Sequence, residues 1–143
     1  MTRVDFYVLE SSGPTSRLRC ACRIAEKAFL LDHRIYIHAG SDREARAMDD
    51  LLWSFRGGSF IPHAVVTPHE VHGEAVLIGH DADNDPAETD LLINLADEIP
   101  MFFSRFERVA EVVSEDKQSR ESGRNRFRFY RDRGYDLRTH QLR

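Results

Sequence analysis

The chain has 143 residues, of which 41% are apolar and 31% are charged, a composition typical of a single globular domain. The apolar content excludes a disordered chain, and the absence of any run of about 18 apolar residues excludes a membrane span. The net charge is −4 at pH 7, which is a poor overall match to a polyanion such as nucleic acid.

The N-terminal segment and the cysteines indicate the compartment. Acidic residues flank the short apolar run in the first ten positions, which does not fit a signal peptide. Cys20 and Cys22 are the two cysteines of the sequence, and their spacing does not suit a disulfide framework. We therefore expect a cytoplasmic protein with free thiols.

Strands and helices are predicted to alternate along the chain. The strands, rich in β-branched and aromatic residues, are predicted at 3–9, 34–39, 63–66, 74–79 and 91–96. Helices with apolar residues at helical spacing are predicted at 15–31 and at about 42–55. Residues 101–113 are ambiguous and fit a helical turn that ends as a strand. A long basic helix is predicted from about 117 to 133, ended by Gly134.

This alternation predicts a single three-layer α/β domain spanning residues 1–143, with a mainly parallel sheet of about five strands and helices on both faces. The first strand–helix loop is Ser11-Ser12-Gly13-Pro14. It lacks the three glycines of G-x-G-x-x-G and has no G-K-[ST] sequence. The sequence therefore argues against a nucleotide site, and we expect no cofactor.

A histidine-rich segment raises the possibility of a metal site. His69 and His72 lie three residues apart in PHEVHG, whereas a zincin needs H-E-x-x-H on a helix so that both imidazoles share one face. Surface-loop histidines are the simpler interpretation. A small α/β metal-dependent enzyme using His69, His72 and Asp81 is kept as an alternative.

An aspartate-rich loop follows. Asp81, Asp83 and Asp85 resemble the start of a calcium loop. Pro86, however, stands where the turn glycine should be, and Leu92 where the bidentate glutamate should be. We expect no metal here.

The basic residues concentrate at the C-terminal end. Residues 114–143 carry nine Lys and Arg against five Asp and Glu, a net +4, so the first 113 residues carry −8. Such asymmetry predicts a localised anion-binding surface. The alternative is a solvated helix face with internal salt bridges.

One face of the basic helix combines arginines with an aromatic ring. At 100° per residue, Arg120, Arg124, Phe127 and Arg131 lie close together, with Arg128 beside them. This face suits an acidic peptide that ends in a hydrophobic residue, and it would also suit single-stranded nucleic acid. Phe127 would instead belong to the core if this face packs on the sheet.

A second candidate surface lies in LLWSFRGGSFIPH, residues 51–63, which contains the single tryptophan. Trp53 and Phe60 are predicted to form either a core seam or an exposed partner surface, because tryptophan is enriched at interface hot spots.

Several segments together resemble a known family. They are DFYVL, CRIAEKAF followed by HRIYIH, DDLLWSFRGGSFIPH and RFRFYRDRGYDL. In this order they resemble the chi subunit of bacterial DNA polymerase III, over nearly the whole chain. The segments 50–63 and 124–137 carry the most specific part of the likeness.

The resemblance implies a Rossmann-like topology without a nucleotide site and a non-catalytic accessory subunit of the replicative polymerase. In this family one surface binds the psi subunit, which links to the clamp loader. Another surface binds the acidic C-terminal tail of single-stranded DNA-binding protein. Contact with DNA would then be indirect, consistent with the acidic body of the chain. A module that binds single-stranded nucleic acid directly is the other alternative.

The resemblance also implies which residues serve each partner. Trp53, Phe60 and Pro62 would lie on the psi surface. The tail pocket would be lined by Arg120, Arg124, Phe127, Arg128 and Arg131, with Val113 as an apolar wall. No catalytic residue is expected.

Overall fold

The computed structural model describes residues 2–55, 60–67, 70, 72–81, 84, 86–87 and 90–142. Within them, seven strands form one sheet in which every pairing is parallel. The strands are β1 (Arg3–Leu9), β2 (Ile35–His38), β3 (His63–Val65), β4 (Val76–Gly79), β5 (Leu91–Asn94), β6 (Arg108–Val113) and β7 (Asp136–Leu142). Their order across the sheet is β3-β4-β2-β5-β6-β1-β7.

Helices cover both faces of the sheet. They are α1 (Ser16–Leu30), α2 (Asp42–Ser54) and α3 (Lys117–Asp132), with a short 3₁₀ helix at Met101–Arg105. The apolar stripes of α1 and α2 pack on one face, and α3 packs with the 3₁₀ segment on the other. The predicted three-layer α/β architecture is therefore confirmed. Burial on both faces explains why the central strands are rich in Ile, Leu and Val.

Polar side chains fix the ends of the two exposed helices. Ser41 caps α2 by accepting a hydrogen bond from the Glu44 backbone N–H at 3.1 Å. Asp116 caps α3 by accepting one from the Ser119 N–H at 3.2 Å. After α3 the chain reverses at Gly134, whose φ of +79° favours glycine. The predicted end of the basic helix is thus confirmed.

The sheet has two more strands than the predicted number of about five. The ambiguous residues 101–113 divide into the 3₁₀ helix and β6. β7 was not predicted, because an edge strand exposed to solvent carries little apolar signal. Its sequence, DLRTHQL, has only Leu137 and Leu142 as apolar residues, and its pairing partner is β1, at the other end of the chain.

Candidate functional site

A cavity of about 170 Å³ lies between α3 and the last strands of the sheet. We call it the arginine pocket. It is lined by Phe6, Val8, Val113, Arg120, Gly123, Arg124, Phe127 and Thr139. Four of the six residues proposed from the sequence for the tail pocket therefore lie around one cavity.

The floor of the arginine pocket is apolar. The Phe127 ring stands edge-to-face on Phe6, with 5.3 Å between ring centroids, a favourable aromatic geometry. Phe127 is half-buried, so it both packs on the sheet and borders the cavity. Tyr130, three residues on, is fully buried and belongs to the core.

Gly123 sets the distance between α3 and the sheet. A Cβ at this position would lie 2.8 Å from Cγ2 of Val113. The glycine therefore allows the helix to approach β6 closely and lets Val113 form a wall of the cavity. Sequence reasoning did not identify this role, because a helical glycine reveals its packing partner only in the folded structure.

The two arginines of the pocket have different environments. Arg120 is half-buried, and its Nη2 donates a hydrogen bond to the Leu9 carbonyl at 2.9 Å. Arg124 is exposed and has neither a hydrogen-bond nor an ion-pair partner within the described part of the chain. Arg124 is consequently the cation that is available to an incoming anion.

Arg128 and Arg131 do not line this cavity. Both are exposed on α3. Arg128 donates a hydrogen bond to Oδ1 of Asn125 at 2.9 Å, and Arg131 forms an ion pair with Asp132 at 3.0 Å. They place positive charge along the helix beside the pocket rather than inside it.

A buried ionic network holds α3 on the sheet, and sequence reasoning missed it. Glu111 is fully buried and accepts hydrogen bonds from Nε of Arg126 at 2.8 Å and from the Tyr130 hydroxyl at 2.7 Å. Asn94 also donates to Glu111, at 3.1 Å. Burial raises the pKa of Tyr130, and the Glu111 charge adds to this effect, so the phenol stays protonated and donates. The one sequence signal was a glutamate inside the apolar strand RVAEVV.

The second candidate surface is aromatic and exposed. Trp53 is 60% exposed and Phe60 is 65% exposed, with 6.0 Å between their ring centroids. Pro62 beside them is half-buried. We call these three residues the aromatic patch. Of the two alternatives left by the pattern, the exposed surface is therefore observed and the core seam is not.

Buried neighbours support the aromatic patch from below. Ile61 is 4% exposed and anchors the segment in the core under α2. His63 lies 4.6 Å from the Trp53 ring, centroid to centroid. Its Nε2 is 3.4 Å from a carboxylate oxygen of Asp49. The RGGS segment, residues 56–59, lies outside the described residues.

The two surfaces lie toward opposite ends of the sheet. The aromatic patch is next to β3, one edge strand, and the arginine pocket is next to β1 and β7, the other edge. Six strand spacings of about 4.8 Å separate the two edges, which gives roughly 29 Å. The two surfaces therefore do not overlap.

Of the three residues in the metal hypothesis, His72 and Asp81 lie among the described residues. Among the residues that the structure describes, no three His, Cys, Asp or Glu side chains are placed to hold a metal ion. His72 lies 3.9 Å from both Glu70 and Glu74, which makes at most weak ion pairs. His69, Asp83 and Asp85 lie outside the described residues.

Both thiols are buried in α1. Burial raises the pKa of Cys20, and it raises the pKa of Cys22 to about 12. Neither is a thiolate at neutral pH, and neither has the environment of a nucleophilic cysteine.

The fold and these surfaces define a class: a Rossmann-like α/β domain with a basic pocket and an aromatic patch at opposite ends of its sheet. A sequence model of the family described as DNA polymerase III chi subunit, HolC, matches residues 1–138. The chain belongs to this family, and the resemblance found in the sequence is confirmed.

Curated relatives extend the match over the whole chain. The chain is 44% identical to the DNA polymerase III subunit chi of Pseudomonas aeruginosa, over 99% of this chain and 98% of the relative. It is 26% identical to the Haemophilus influenzae subunit, covering 96% of each, and 25% identical to the Escherichia coli subunit, covering 97% of each.

A solved structure supports the fold alone. The crystal structure of T4 UvsW superposes with a TM-score of 0.68 at 10% identity, over 98% of this chain and 42% of that one. Across the described residues, no helix combines the length and the apolar character needed to cross a bilayer.

Proposed function

We propose that this protein is a non-catalytic accessory subunit of DNA polymerase III that joins the clamp loader to coated single-stranded template during replication. Membership of the chi family supports the replication role. One end of the domain would bind the psi subunit, and the other would bind the acidic C-terminal tail of single-stranded DNA-binding protein. The observation that carries this proposal is the arginine pocket, with its apolar floor and its unpartnered Arg124.

The pocket suits the end of an acidic chain that terminates in a hydrophobic residue. The guanidinium of Arg124 can hold a terminal α-carboxylate through two parallel hydrogen bonds. A terminal aromatic side chain would then lie against Phe127, over the floor made by Phe6 and beside the wall made by Val113. Arg120, already fixed to the Leu9 carbonyl, would contribute charge without moving.

Charge outside the cavity supports the same occupant. Arg128 and Arg131 extend positive potential along α3, where the acidic residues that precede the tail's end would lie. Complementary charge accelerates association, and this electrostatic effect becomes weaker as the salt concentration rises. The net charge of −8 on the first 113 residues would repel DNA itself. This favours indirect contact with DNA through the single-stranded DNA-binding protein that coats it.

The aromatic patch suits a stable, apolar interface. Two large exposed aromatic side chains beside a half-buried proline are the kind of anchor that dominates protein–protein binding. We assign this patch to psi. The separation of roughly 29 Å across the sheet lets psi and the tail bind without competing for the same surface.

The proposal is tested by titrating the protein with a fluorescent acidic peptide ending in Asp-Ile-Pro-Phe and with the same peptide amidated at its C-terminus. We expect saturable binding of the free acid, loss of binding on amidation and weaker binding at high salt. If neither peptide binds, the tail-pocket proposal is wrong. Tight binding of a single-stranded oligonucleotide without a partner would then favour the direct nucleic-acid-binding alternative.

A further inference from the structure

One face of β1 is polar although the strand lies inside the sheet. Arg3, Asp5 and Tyr7 point toward α1, and they alternate with Val4 and Phe6, which belong to the core under α3. Parallel strands covered on both sides are usually apolar on both faces. A departure of this kind from the expected pattern is most often functional.

Neighbouring strands continue the polar face. In the register of the sheet, Arg108 of β6 is opposite Arg3, and Arg138 and His140 of β7 are opposite Asp5 and Tyr7. The Tyr7 and His140 rings stack at 4.9 Å. A polar surface therefore spans three adjacent strands on the α1 side of the sheet.

α1 leaves this surface partly uncovered. Between the helix and the strands lies a half-open cleft of about 390 Å³, within the usual range of small-molecule sites, about 300–1,000 Å³. The basic residues that line it are Arg3, Arg23, Lys27, Arg108 and Arg138. Among the described residues of the lining, the single acidic one is Asp5, so these side chains carry a net charge of +4 with histidine neutral.

Asp5 organises the cationic groups. Its carboxylate is 1% exposed and accepts hydrogen bonds from Nε of Arg108 at 2.8 Å and from Nε2 of His140 at 3.0 Å. Arg3 reaches the same carboxylate at 3.1 Å. Arg108 also donates to the Tyr7 hydroxyl. The cleft thus has a preformed, hydrogen-bonded base, not only flexible surface chains.

The remaining cations have no carboxylate to neutralise them. Within the described residues, Arg23, Lys27 and Arg138 form no ion pair. Arg23 and Lys27 are one helical turn apart on α1, and Arg138 faces them from β7. Unpaired like charges held together around a cleft repel one another, and a bound multivalent anion would relieve that repulsion.

We propose that this cleft binds a multivalent phosphate group, of the kind that a nucleoside triphosphate carries. Guanidinium groups bind phosphate oxygens in a bidentate manner, and the excess of four positive charges matches an oligophosphate better than a single carboxylate. Ile24 and Leu31 form an apolar wall that suits the rest of an organic phosphate.

The site differs from those considered above. It lies on the α1 face of the sheet, whereas the arginine pocket lies on the α3 face, so the inference does not depend on the proposed function. The cleft includes Arg3 and Arg108 at the amino ends of β1 and β6, and none of the residues of the glycine-poor first loop lines it. That loop follows the carboxyl end of β1, where ligands of such folds usually bind. A nucleic acid strand offers the same phosphate chemistry, but the acidic body disfavours it.

The test uses calorimetric titration of the full chain with inorganic triphosphate, dATP and an oligothymidylate that lacks a terminal phosphate. We expect triphosphate and dATP to bind saturably, and the double variant Arg23→Ala/Arg138→Ala to weaken both by about tenfold or more. NMR signals of Tyr7 and His140 should shift on titration. If the oligothymidylate binds better than the free compounds, with the same dependence on Arg23 and Arg138, the cleft recognises the phosphates of a nucleic acid strand.

The matched control is Arg43→Ala/Arg46→Ala on α2, which removes the same net charge from exposed positions outside the cleft. It should leave binding within about twofold. Equal losses of affinity in both double variants would show that only overall charge matters and would overturn the proposal. Absence of binding by all three probes at low salt would also overturn it. Because tail-peptide binding should be unchanged in Arg23→Ala/Arg138→Ala, failure here is distinguishable from failure of the tail pocket.

Discussion

The aromatic patch and the arginine pocket differ in the physics by which each would recognise a partner. Trp53 and Phe60 expose large apolar surface, so we expect binding there to depend on burial more than on salt. The arginine pocket combines a small apolar floor with an unpartnered guanidinium. Binding there should therefore depend both on apolar burial and on salt concentration. An adaptor gains from this difference, because a stable contact at one end can coexist with a reversible, salt-sensitive contact at the other.

Removal of the tryptophan should give the largest effect. We expect Trp53→Ala to weaken psi binding by about 30-fold or more, because hot-spot aromatics contribute about 2 kcal/mol or more. The fold should persist, since the side chain is 60% exposed. Binding to psi is measured by calorimetry, with circular dichroism as the test of folding.

Met101→Ala is the matched control for that variant. Met101 is 86% exposed and lies on the 3₁₀ helix, away from the patch. It should not change psi binding. Unfolding of Trp53→Ala, or equal losses in both variants, would remove the distinction between the two surfaces.

Removal of the unpartnered arginine should give the second-largest effect. We expect Arg124→Ala to weaken tail-peptide binding by about tenfold, because a hydrogen bond to a charged group contributes about 1.5–3 kcal/mol. Psi binding should be unchanged. The peptide titration is repeated at two salt concentrations, and the salt dependence should be smaller in the variant than in the parent. An unchanged titration curve would contradict the assignment of the pocket.

A change in helix packing should act on one surface only. We expect Gly123→Ala to weaken tail-peptide binding by several-fold, because the new Cβ would lie 2.8 Å from Val113 and displace the wall of the pocket. Overpacking of this kind costs about 1–3 kcal/mol of stability, which chemical denaturation measures. A loss of psi binding that matches the loss of tail binding would instead indicate a global effect.

The smallest effect on tail-peptide binding is expected from removing an arginine on α3 that lies outside the cavity. Arg131 is already paired with Asp132 at 3.0 Å and is exposed. Arg131→Ala should therefore weaken tail binding by only about twofold, in keeping with the small energies of exposed ion pairs. The same titration measures it. A larger effect than that of Arg124→Ala would indicate that the tail peptide binds nearer the C-terminal end of α3 than the cavity does.

Periodic patterns were sufficient for most elements of the fold. The stripes of α1 and α2 are buried as their helical spacing predicts, for example at Leu18, Ala25 and Met48. The edge strand β7 was missed because it has few apolar residues and pairs with a strand more than 125 positions away. Hydrogen bonding to β1 stabilises it, and no local pattern records that pairing.

The candidate sites were predictable in part for the same reason. Helical spacing brought Arg120, Arg124 and Phe127 to one face, and the structure collects them around one cavity. The same spacing included Arg131, which lies outside the cavity lining, because a helical projection does not show where the sheet ends. Val113 entered only through the family resemblance, and Phe6 and Thr139 were not identified.

The sequence by itself determined the alternation of strands and helices, the basic C-terminal helix and the family, because local periodicity, charge and specific segments are properties of the chain. The tertiary structure alone decided that Trp53 and Phe60 are exposed, that Glu111 is buried against Arg126, and that five cationic side chains line one cleft under α1. Each of these depends on how helices, loops and strands pack together in the whole domain, which no local sequence pattern records.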